Sequence, residues 1–195
     1  NVPFNPTVAV TPSTTASQIA GPLSYELNIP DADATIQNAL PKVVDVDFPI
    51  GSGLDLNSLT GVNTCTEAQL QTQSCPASSI IGNAQAISKF LPPSLNGNVY
   101  AMGNGGPVGL EVPIGVQLIG PRNTVVIFRG TLITRGDANA GTGRVASLFD
   151  RIPQLPFKKF TLNITKNLYK NPQTCGTATT TSKATGFNGT TATSG

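Results

Sequence analysis

No histidine occurs in the 195 residues, which removes the commonest general base, triad member and zinc ligand together. Tryptophan is also missing and tyrosine is limited to Tyr25, Tyr100 and Tyr169, so the aromatic stacking platform of a typical carbohydrate-binding module is lacking. Only 11% of residues are charged and the net charge is +2. The nearest thing to a basic cluster is Lys158-Lys159, too small a footprint for nucleic acid or a membrane surface. No apolar run reaches the roughly eighteen residues of a membrane helix, so no membrane insertion is expected. The three cysteines, Cys65, Cys75 and Cys175, lack the paired spacing of a structural zinc site. Neither a Gly-x-Ser-x-Gly elbow nor a Ser-x-x-Lys motif is present. The glycine-rich run at 103–107 has no following Lys-Ser/Thr and no helix, and reads as a plain turn. These absences predict no catalytic residue, no metal ligand set and no cofactor.

What is present is a turn-rich chain with 20 Gly and 16 Pro and 38% hydrophobic residues, long enough to bury a core. The stretch 65–77, CTEAQLQTQSCPA, contains the clearest helical turn. Thr66 supplies an N-cap hydroxyl, Glu67 to Gln71 are helix formers, and Pro76 ends the run. So short a helix is marginal alone, and a disulfide between Cys65 and Cys75 is the expected clamp, contributing about 3 kcal/mol on the chain-entropy estimate. Two free thiols are the alternative. A disulfide, together with Thr-rich runs at 177–182 and 190–194, predicts an exported protein, extracellular or at the cell surface. Asn1 opens without Met or a signal-like segment, so a processed or excised piece is expected.

Nearly everything else reads as strands. Leu23, Tyr25, Leu27 and Ile29 alternate with polar residues between Pro22 and Pro30, and Val44, Val46 and Phe48 alternate with Asp45 and Asp47, predicting half-buried antiparallel strands with solvated carboxylates. Residues 7–11, 78–87 and 98–102 add further strands, and 51–57 reads as a loop. Asn96-Gly97 predicts a hairpin turn. Residues 108–114, 116–119, 124–128 and 130–134 read as four short strands divided by Pro or Gly, followed by 144–149 and 157–165. Segment 35–40 fits a strand or a helical turn equally. Strands recurring every eight to twelve residues predict one all-β domain over 1–195, an antiparallel β-sandwich with one short disulfide-clamped helix.

Two weaker signals remain. Asp31, Asp33, Asp45, Asp47 and Asp55 are possible hard ligands for calcium, but no EF-hand or glycine-aspartate repeat spacing groups them, so solvated carboxylates are expected. Asn163-Ile164-Thr165 and Asn188-Gly189-Thr190 match the glycosylation sequon, and no occupancy is expected for either.

The blocks at 4–29, 65–86 (CTEAQLQTQSCPASSIIGNAQA), 96–102 (NGNVYAM), 143–164 (GRVASLFDRIPQLPFKKFTLNI) and 171–181 (NPQTCGTATTT) resemble a repeat domain of large secreted actinobacterial surface proteins of unknown function. Ile80 departs from that pattern, where Arg is usual. The resemblance implies tandem units with a structural or adhesive role and no catalytic residues. It also implies a fourth cysteine beyond the region matching 176–179, which would leave Cys175 unpaired here or bonded to a neighbouring chain. The expected function is therefore a non-enzymatic building unit of a surface fibre, sheath or adhesive stalk, with neighbouring copies of the same domain as partners. A module binding a surface glycan is the alternative. The C-terminal Thr-rich stretch is expected to be an edge strand at a subunit or repeat boundary.

Overall fold

The structure, a computed structural model, describes residues 3–30, 39–88, 94–106, 111–137, 140–174 and 176–195. Among the described residues twelve strands are formed: β1 (Thr7–Pro12), β2 (Ala20–Asn28), β3 (Pro41–Asp47), β4 (Gly53–Leu54), β5 (Ile80–Ser88), β6 (Leu95–Ala101), β7 (Val112–Ile119), β8 (Val125–Arg135), β9 (Arg144–Phe149), β10 (Phe157–Lys170), β11 (Thr181–Gly186) and β12 (Thr191–Ser194). An α-helix, α1, spans Glu67–Gln71, and short 3-10 turns lie at Leu56–Leu59, Ala77–Ser79 and Pro121–Asn123.

Period-two alternation carries into the structure. Leu23, Tyr25, Leu27 and Ile29 are all buried, as are Val44, Val46 and Phe48, because a strand turns every second side chain to the same face. The expected sandwich is corrected. The strands form a single sheet in the order β1-β2-β10-β5-β6-β7-β8-β9-β3-β11-β12, with β4 paired to β10. It curls round one core shared by Tyr25, Phe48, Val116, Phe128, Phe149, Phe160 and Leu162. The fold is barrel-like, and alternation alone could not reveal this, since it marks a buried face without saying whether that face meets a second sheet or the far side of its own.

Glycine explains two further corrections. Asn96-Gly97 lies inside β6, not in a turn. A Cβ at Gly97 would sit 1.7 Å from the Gln117 carbonyl oxygen of the adjacent strand, so the glycine serves close backbone approach. The four short strands expected between 108 and 134 are two long ones as far as they are described, with Gly115 and Gly130 inside β7 and β8. At Gly115 a Cβ would meet Leu70 and Met102, and at Gly130 the ring of Phe149. Glycine here makes room for a neighbour's side chain without breaking the strand. Pro22 lies within β2, not outside it, and Pro41 opens β3. The loop expected at 51–57 carries β4 and the start of a 3-10 turn. The strand expected at 157–165 runs on to Lys170 past an irregularity between Ile164 and Tyr169. Residues 35–38 and 107–110 of the expected elements lie outside the described residues.

Candidate functional site

The outside of the sheet carries a locked region and an open one. The locked region begins at the helix. Thr66 caps α1 through a full capping box: its hydroxyl accepts from the Gln69 N–H at 3.3 Å, and Gln69 Oε1 accepts from the Thr66 N–H at 2.9 Å. Cys65 and Cys75 are joined by a disulfide, with Cα atoms 5.2 Å apart. The clamped helix lies on the outer face over β6, β7 and β8. There Leu70, fully buried, seats above Gly115, and Cys65, Leu70 and Tyr100 form a second small core with Met102 and Ile127 against it. Gln117, buried beneath, donates its Nε2–H to the Leu70 carbonyl at 2.7 Å, adding to the 3.5 Å bond that this carbonyl accepts from the Gln73 N–H. Glu67 pairs with Arg129 of β8. The Arg129 hydrogen bond holds the Glu67 carboxyl below its usual range and raises the Arg129 guanidinium. The glycine-rich turn is tied down next to this region, since Gly105 N–H donates to Thr64 Oγ1 at 2.9 Å.

Asp45 and Asp47 are not simply solvated, which corrects that expectation. Arg135 lies 2.8 Å from Asp45 and 2.9 Å from Asp47, and Arg144 lies 2.9 Å from Asp47. Partial burial opposes ionisation of Asp47, but hydrogen bonds from Arg144 and Arg135 outweigh it and leave its carboxyl below the usual range. Asp55 lies 3.8 Å from Lys170. Among the described residues no three acidic side chains gather as a cation site; Asp31 and Asp33 lie outside them. Tyr25 sits in the core against Phe149, with ring centroids 6.0 Å apart, and burial, aided by the charge of Asp45, pushes its phenol well up.

A row of neutral polar side chains crosses the outer face on β2, β10 and β5. Ser24 donates to Asn163 Oδ1 at 2.8 Å, and Asn163 Nδ2 donates to Asn83 Oδ1 at 3.0 Å. Asn98 of β6 stands opposite Asn83 in the register. Asn163, the first sequon asparagine, is therefore engaged within the sheet. Asn188, the second, lies exposed at the tip of the β11–β12 hairpin, where its Oδ1 accepts from the Thr190 N–H at 3.0 Å.

The open region is the seam between β1 and β12, the two ends of the strand order. The Thr-rich C-terminal stretch is a hairpin and not one strand: β11 is sealed between β3 and β12, and β12 alone forms the edge. A groove of about 570 Å³ lies along it, lined by Phe4, Asn5, Asn188 and Thr190 to Thr193 among others. Neither edge carries a charge: β1 reads TVAVTP and β12 reads TATS. Natural edges are usually blunted by Lys, proline or a bulge; here the one proline, Pro12, stands at the end of β1. The disulfide pair is where the sequence placed it, whereas Cys175 lies outside the described residues. The seam was legible only as Thr-rich composition at one of its two walls. No family model matches the chain, and neither a curated protein nor a solved structure is similar to it at a significant level.

Proposed function

We propose that this chain is a non-enzymatic, extracellular structural unit that assembles with further copies of itself into a fibre, sheath or stalk. The observation that carries this reading is the pair of uncharged strand edges at the two ends of one sheet, since such edges are templates for pairing with another chain. The disulfide fits an oxidising compartment, and the doubly layered helix region fits a body that must stay folded outside the cell. Electron microscopy of native material, with light scattering across a concentration series, tests it: growing assemblies are expected, and a monomer at all concentrations overturns the reading.

The row Ser24, Asn163 and Asn83, with Asn98 beside it, favours a second reading, a surface that binds a neutral glycan through amide and hydroxyl groups. Saturable glycan-array binding that is lost in Asn83→Asp would establish it in place of the first.

A further inference from the structure

Residues that point inward at the seam fail to bury. Val8 and Val10 of β1 and Ala192 of β12 pack on the core but are only half-buried, while the inward residues of β2 next door are all buried. Among the described residues nothing covers the sheet here, and the backbone shows what would supply the cover.

The direction of the strands comes first. Among the described residues the main path holds eleven strands, and each neighbouring pair along it is antiparallel. An odd number of alternating strands leaves the first and last running the same way, so direct closure of β1 on β12 would make the one parallel pair in the main sheet, the less stable kind. One more strand between them would be antiparallel to both.

Hydrogen-bond parity agrees. Ser13 N–H donates to the Pro22 carbonyl at 3.0 Å, and counting along the register by twos makes Thr11, Ala9 and Thr7 the residues bonded to β2. Val8 and Val10 therefore aim their backbone groups out into the seam. Across it, Gly186 N–H donates to the Thr190 carbonyl at 2.8 Å, so Ala192 and Ser194 bond to β11 while Thr191 and Thr193 aim outward. The free groups on β1 thus belong to residues with inward side chains, and those on β12 to residues with outward side chains. An inserted strand alternates in the same sense: its outward residues bond Thr191 and Thr193, and its inward residues bond Val8 and Val10. Both edges are satisfied by one ordinary strand without a bulge.

We propose that the seam accepts an extended, uncharged segment of a second copy, antiparallel to both edges and with small apolar residues at alternate positions, which closes the sheet. This rests on the assembly reading above. Inward apolar residues are required because they would cover Val8, Val10 and Ala192, and charge is disfavoured at those inward positions because the core cluster they would join is apolar.

The test uses the intact protein and a fluorescent peptide, acetyl-TVTVTVT-amide. Saturable binding is expected, with hydrogen exchange of the Val8, Val10, Thr191 and Thr193 amides slowed roughly tenfold or more. Thr193→Pro removes an N–H that points into the seam and leaves the β11 ladder intact, so it should lose the peptide at an unchanged Tm. Ala192→Pro, one residue away, removes a bond to β11 and should lower Tm instead. No peptide binding, binding that survives Thr193→Pro, or seam amides already protected without peptide each overturn the proposal. Assemblies that persist in Thr193→Pro and ignore the peptide overturn the seam but leave the assembly reading standing. Peptide binding by a protein that stays monomeric overturns the second copy as donor and the assembly reading with it.

Discussion

The helix-covered flank over β6, β7 and β8 and the seam between β1 and β12 belong to one sheet yet differ in how they end. On the flank, outward residues that would otherwise meet water are covered a second time: Gln117 and Tyr100 are buried although they point away from the main core. At the seam even inward residues are half-exposed. A strand face is therefore only as buried as what lies across it, and the disulfide and capping box sit where a small layer needed local reinforcement, because a five-residue helix does not hold itself.

The largest test of this contrast is Leu70→Ala. Leu70 is fully buried above Gly115, and its truncation should cost about 2–5 kcal/mol in chemical denaturation. Next, reduction of Cys65–Cys75 should cost about 3 kcal/mol, with both thiols alkylating only after reductant is added; full alkylation of native protein without reductant removes the clamp. At the seam, Val10→Ala should cost only about 1 kcal/mol, since the residue is half-exposed already. A loss as large as that of Leu70→Ala would show the seam to be closed in solution.

The smallest expected effect is electrostatic. Asp47 and Glu67 have folded carboxyls below their usual values, so their contribution is present above the unfolded carboxylate range near about pH 4 and is lost as pH falls through the folded values. Denaturation from pH 6 downward should show this as a shallow fall, smaller in Asp47→Asn. Exposure of both sites keeps it modest. An identical profile for Asp47→Asn would remove Asp47 from the account.

Legibility followed the range of the signal. The helix and its clamp were readable because cap, formers, terminator and both cysteines lie within one short run, 65–76. The strands of Leu23 to Ile29 and Val44 to Phe48 were readable from alternation. Asn96-Gly97 misled because a glycine demanded by a neighbouring strand is written the same way as one demanded by a turn. Asp45 and Asp47 read as solvated because their partners, Arg135 and Arg144, lie far along the chain and are brought near only through β9 and β8.

By itself, the order of residues determined the all-β class, the faces that are buried, the covalent clamp and the poverty of charge at both edges, because each depends on local chemistry or a period of two. The tertiary structure alone decided that the strands form one curled sheet and not two packed ones, that its main path holds an odd number of them among the described residues, and that β1 and β12 come to stand at its two ends. Those outcomes depend on which distant strand pairs with which, and pairing between distant segments leaves no period in the sequence to read.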